Sequence, residues 1–100
     1  MSDMNLEVTE KLERTIKGVL RVTHDSLDSE ITDIIKAGLA EIQSKVGPVS
    51  FDGDTVTSIK ALNLLKVYCF YSWNDMAQEF SSDNERGIIA LQMHILQYGK

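Results

Sequence analysis

Apolar residues recur along this chain at helical spacing in four segments, and nowhere do they alternate with period two for long enough to suggest a sheet. The first predicted helix runs from about Thr9 to Val22, with Leu12, Ile16, Val19 and Leu20 on one stripe. Glu10 with Arg14 and Glu13 with Lys17 stand four apart in the favourable order. Gly18 weakens this helix by about 1 kcal/mol relative to Ala, so it needs tertiary support. Residues Thr23 to Ser26 break the pattern, and Ser26 or Asp28 can cap a second helix, with Asp28 and Glu30 complementing the dipole of its first turn. Ile31, Ile34, Ile35, Gly38, Leu39, Ile42 and Val46 follow at 3.6-residue spacing. Gly38 on that face predicts close approach of a neighbouring helix, and Gly47-Pro48 ends the segment.

Residues Val49 to Asp54 form a loop with Asp52-Gly53 as its turn, and Asp54 or Thr55 can cap the third helix. That helix is unusual. Between Ala61 and Trp73 only Asn63, Lys66 and Ser72 are polar, and the pattern carries it to about Phe80. A helix apolar almost all round must be covered on almost all sides. Three short neighbours can cover part of it, so a second subunit is the expected source of the rest. Ser82-Asp83-Asn84-Glu85 reads as a capping box, and the fourth helix carries Ile88, Ile89, Leu91, Ile95, Leu96 and Tyr98. The predicted fold is all-α: one domain over residues 1–100, a compact bundle of about four helices with a long, mostly apolar third, and residues 1–8 as a flexible N-terminus.

Charge narrows the partners. Fifteen acidic against ten basic residues leave a net charge of −5, and the cations are dispersed. Such a field disfavours tight binding to phosphate backbones or anionic membranes. The longest apolar stretch, around Leu64 to Trp73, is too short to span a bilayer, and Met1 to Asn5 is too polar for a signal peptide. The single Cys69 precludes an intrachain disulfide. These features place the chain in the cytosol.

Candidate chemistry is sparse. His24 with Asp25, Asp28 and Glu30 has metal-ligand residue types, but His24 precedes the helix, so helix-capping chemistry is the plainer reading. Asp52-Gly53-Asp54 lacks the further ligands of a calcium loop and reads as a turn. Cys69 needs an activating His24 or His94 to act as a nucleophile, and its apolar surroundings favour burial. No serine elbow and no phosphate-cradling glycine cluster occurs. The expectation is a non-enzymatic protein without metal or cofactor. Tyr68, Phe70, Tyr71, Trp73 and Met76 are the candidate core or oligomer-interface residues. A base-stacking role for the rings is disfavoured, because only Lys66 stands nearby to supply cationic charge.

The order of these features resembles the small head–tail connector proteins of long-tailed bacteriophages, also called adaptor or head-completion proteins. A short helix ends in Leu20-Arg21-Val22, an acidic break from Thr23 to Asp28 follows, and a long helix covers Ser29 to Val46. After a loop comes the aromatic-rich helix, in which Leu62, Leu64, Leu65, Val67 and Tyr71 fall where the family has its apolar-tyrosine stretch. The likeness covers about Leu12 to Tyr98. Many relatives carry Asn-Arg soon after the tyrosine and Gln-Leu-Arg near the C-terminus. Here those regions read Ser72-Trp73-Asn74-Asp75 and Gln92-Met93-His94, so no role of those arginines carries over. The resemblance implies a homo-oligomeric ring at the head–tail junction of the virion, docked between the portal protein and the next neck or tail-completion protein, with DNA passing through the channel. An alternative from another class is a small acidic helical regulator that binds a host or phage protein.

Overall fold

The computed structural model describes residues 4–22 and 28–99. Every regular element among them is helical: α1 (Glu10–Leu20), α2 (Asp28–Val46), α3 (Val56–Trp73), α4 (Phe80–Asp83) and α5 (Glu85–Tyr98), with a 3₁₀ turn at Ala77–Glu79.

The boundaries follow from local chemistry. Thr9 caps α1, its Oγ1 accepting the Leu12 N–H at 3.2 Å. The helix stops at Leu20 rather than Val22 because Arg21 turns into the left-handed region (φ 59°), and the Val22 N–H closes onto Lys17 O at 3.0 Å. Gly47 ends α2 at φ 87°, donating its N–H to Gln43 O at 2.8 Å. Thr55, not Asp54, caps α3 through the Ser58 N–H at 3.1 Å. The candidate cap Ser26 lies outside the described residues, and Asp28 sits inside the first turn of α2.

Two expected boundaries are overturned. The third helix ends at Trp73, seven residues short of Phe80. Asn74 Nδ2 donates to Phe70 O at 2.8 Å, Asp75 adopts φ 59°, and the Met76 N–H bonds to Tyr71 O at 2.8 Å. Asn and Asp are the side chains that tolerate this left-handed step. The capping box does not form either. Phe80 is buried, ring edge-on to Tyr68 at 5.2 Å between centroids. Drawing Phe80 inward winds residues 80–83 into their own helical turn, so Ser82 bonds back to Glu79 O at 3.3 Å, and Asn84 precedes α5 without a side-chain cap.

The core lies between α1, α2, α3 and α5. Leu12 and Ile16 meet Ile31, Ile35, Leu39 and Ile42, with Ala61, Leu65 and Cys69 between them and Ile88 and Leu91 closing the far side. Gly38 does admit a neighbour: a Cβ there would stand 2.6 Å from Leu65 Cδ1 and 2.8 Å from Tyr68 Cδ1.

The loop after α2 is tied down by polar groups. Buried Gln43 uses its whole amide. Its Oε1 accepts the N–H groups of Asn5 (3.2 Å) and Val49 (3.1 Å), and its Nε2 donates to the carbonyls of Asn5 (2.7 Å) and Leu39 (3.1 Å). Asp52 accepts the hydroxyl of Thr9 at 3.0 Å, and its carbonyl accepts Lys11 Nζ at 2.9 Å, so the Asp52-Gly53 turn is bolted to the start of α1.

Candidate assembly surface

The pattern of α3 led to the expectation that another subunit must shelter it. The chain itself does most of that work. Thr57, Ser58, Ala61, Leu64, Leu65, Tyr68 and Cys69 are buried, and Leu62, Lys66, Val67, Tyr71, Ser72 and Trp73 are half-buried. The reason is position: α3 runs through the middle of the bundle and packs on α1, α2, α4 and α5. What α3 leaves exposed is a narrow strip, of which Val56, Ile59 and Phe70 are the large apolar members.

The five candidate residues separate into two groups. Tyr68 and Tyr71 face inward and bracket Phe80, at 5.2 and 6.1 Å, both edge-on. The Tyr71 hydroxyl also donates to Asp83 Oδ2 at 2.9 Å, pinning α4 to α3. That hydrogen bond raises the Tyr71 pKa above the usual phenol value, and burial raises that of Tyr68. Phe70, Trp73 and Met76 face outward around the C-terminal end of α3. Phe70 is 54% exposed and Met76 40%. Trp73 is half-buried in a cleft with Glu30, Ile34, Ser72 and Asp75. Because Tyr68 and Tyr71 turn inward, the rings do not present a continuous stacking platform.

A second apolar surface was not expected. On α5 the residues Ile88 and Leu91 are buried and Ile95 half-buried. Ile89, Met93 and Leu96 form a separate stripe about a third of a turn away and are 47, 61 and 83% exposed. Their i, i+4, i+7 spacing is visible in the chain, but it merges there with the core stripe into one broad apolar face. Arg86 stands one turn before Ile89 and seven residues before Met93, on the same face. Ile89 also lines a cleft with Lys45, Ser82 and Glu85. Gln92 anchors this side of α5 to α2, its Nε2 donating to Lys45 O at 2.8 Å.

The structure describes several of the remaining chemical candidates. Cys69 is fully buried, which pushes its thiol pKa up to about 12. His94 packs on Tyr98 with the rings tilted at 45° and 4.8 Å between centroids, and it lines a pocket of about 510 Å³ with Val56 and Thr57. That end of α3 is on the order of 18 Å along the helix from Cys69, so the two do not form a nucleophile–base pair. His24 and Asp25 lie outside the described residues. Asp28 forms an ion pair with Lys17, which also reaches Glu13 at 3.7 Å. Among the described residues no cluster of His, Cys, Asp or Glu is arranged to hold a metal, and no helix is long and apolar enough to cross a membrane.

No protein-family model, curated protein or solved structure matches the chain.

Proposed function

We propose that the chain is a structural subunit of a phage head–tail connector ring, docking between the portal and the tail or next neck protein and letting DNA pass. In this reading α1, α2, α3 and α5 are the working bundle of four helices around a long, mostly apolar third, and α4 is a connecting turn. The observation that carries the reading is the resemblance in linear order: Leu20-Arg21-Val22, the acidic break, the long second helix, and the apolar-tyrosine stretch of the third. Two physical features support it. The net charge of −5 suits a lumen that must not hold DNA by its phosphates. The exposed side chains of Phe70, Met76, Ile89, Met93 and Leu96 give the subunit two apolar patches that neighbours in an assembly could cover.

The test is imaging. Purified protein mixed with portal is examined by negative stain, and labelled protein is located in particle necks. A ring on the portal is the expected result. Label found only away from the neck, with no density added to the portal, overturns the proposal.

One observation favours the alternative, a small acidic regulator acting as a monomer or dimer: α3 finds most of its cover within its own chain. Native mass spectrometry separates the two, since a regulator gives one or two chains both alone and in the presence of portal.

A further inference from the structure

Two apolar patches remain uncovered, and they look out from different sides of the bundle. Phe70, Trp73 and Met76 surround the C-terminal end of α3. Phe70 lies about half a turn round that helix from Leu65 and Tyr68, the side on which Gly38 of α2 packs. Ile89, Met93 and Leu96 run along α5 on the side where Ile89 borders Lys45, near the C-terminal end of α2. The first patch borders the N-terminal end of α2, at Glu30 and Ile34, and the second its C-terminal end, at Lys45, so one copy can use both at once.

Their rims differ in charge. The Trp73 cleft is walled by Glu30 and Asp75, and Glu79 lies exposed just beyond Met76. On the α5 side, Lys45 is matched by Glu41 at 3.6 Å, Glu85 borders the cleft, and Arg86 stands in line with the apolar stripe. Arg86 makes no ion pair among the described residues. One apolar stripe is thus continued by a cation, and the other patch is flanked by a pair of carboxylates.

Area agrees. At roughly 150–250 Å² for a large side chain, the exposed parts of these six amount to on the order of 650 Å². A standard interface buries about 1,200–2,000 Å² in total, a little over half of it apolar, so the two patches supply the apolar share of one at the lower end of that range.

We infer that the α5 stripe of one copy seats against the Phe70–Trp73–Met76 patch of the next, with Arg86 directed at Glu30 and Asp75. This is a head-to-tail, heterologous contact, which propagates into a ring when its rotation closes. The inference rests on the connector reading for its self-assembly, and it adds which two surfaces meet.

The test uses two full-length variants, Met93→Asp and Phe70→Asp, each at an exposed position, with circular dichroism to confirm the helical fold. Oligomeric state is read by native mass spectrometry and light scattering at millimolar concentration. Wild type is expected to form species larger than a dimer. Each variant alone is expected to be monomeric, because it has lost one of the two surfaces. Mixed in equal amounts they are expected to give a heterodimer and nothing larger, since one intact pair of surfaces remains. Phe70→Asp dimerising by itself would overturn the inference in favour of an α5-to-α5 contact. Wild-type oligomers with no heterodimer from the mixture would overturn it while leaving the connector reading in place. Wild type that stays monomeric alone and with portal would overturn both. A variant that fails to fold is replaced by Leu96→Asp or Met76→Asp, which cut the same two surfaces.

Discussion

Replacing Gln43 with Leu removes a side chain that joins the N-terminal segment, α2 and the loop after it. The volume is nearly conserved, so the cost is polar. The Val49 N–H is buried and loses its acceptor, which costs about 1–3 kcal/mol. The two bonds to the Asn5 backbone are partly buried and can pass to water, at a net of about 0.5–1 kcal/mol each. Leu39 O sits inside α2, where the main-chain helical bond remains available to it. Burying leucine carbon in place of the amide returns about 1 kcal/mol. The balance is a loss of about 2–3 kcal/mol, or a fall in Tm of about 10–20 °C for a domain of this size. Urea and thermal unfolding followed by circular dichroism measure it. Gln92→Ala serves as the control, because that amide makes one exposed bond to Lys45 O. If Gln43→Leu loses no more stability than Gln92→Ala, the buried amide is not a clamp.

Other predictions can be checked in the same assays. Gly38→Ala should destabilise, because about 1–3 kcal/mol of overpacking against Leu65 and Tyr68 exceeds the roughly 1 kcal/mol that Ala gains over Gly in a helix. Gly18→Ala meets nothing within 4 Å and should stabilise by about 1 kcal/mol. Cys69 should resist thiol reagents in the folded protein and react at the rate of unfolding. Its pKa is raised in the folded state from 9.0 to about 12, so the native chain holds the proton longer than the unfolded one, and stability should fall as pH climbs through that window. Trp73→Asp removes a half-buried ring and adds a third carboxylate beside Glu30 and Asp75, so it should cost about 2–3 kcal/mol, while Lys66→Ala should stay within about 0.5 kcal/mol.

What the chain discloses on inspection is decided by interactions within a few residues. The Thr55 cap, the Gly47 stop and the Gly38 contact all belong to that class, as does the α2 stripe from Ile31 to Ile42. The misread features depend on where distant parts arrive. Helical spacing ran on past Asn74 because a left-handed step at Asp75 costs little and leaves no mark in an apolar pattern. Ser82 has the right neighbours for a cap, but burial of Phe80 against Tyr68 and Tyr71 sets the local backbone instead. The role of Gln43 is not legible in sequence, since Asn5 and Val49 give no hint there that they converge on it. In the candidate surface, nearness in the chain groups Tyr68, Phe70, Tyr71, Trp73 and Met76 together, and the packing of Phe80 on the two tyrosines divides them into core and exterior.

Position in the bundle also decides why α5, and not α3, bears the more exposed apolar stripe, and it bears on how assembly would proceed. A helix rich in apolar side chains needs cover, but its own residues do not say who provides it; the central helix collects four neighbours, whereas α5 packs on α2, α3 and the short α4 and leaves its outer face open. If that face and the α3 end meet between copies, on the order of 650 Å² of apolar surface at about 25 cal/mol per Å² gives roughly 16 kcal/mol before costs. Lost rigid-body freedom and side-chain ordering take about 4–15 kcal/mol, and a mid-range loss leaves about 6 kcal/mol, an affinity between micromolar and millimolar. Free subunits would then remain largely dissociated at low micromolar concentration, and a ring would form where a partner such as a portal holds several copies at high effective concentration. Sedimentation equilibrium on the isolated protein tests this directly. A ring that persists at nanomolar concentration without any platform would show that the contact is much larger than these two patches.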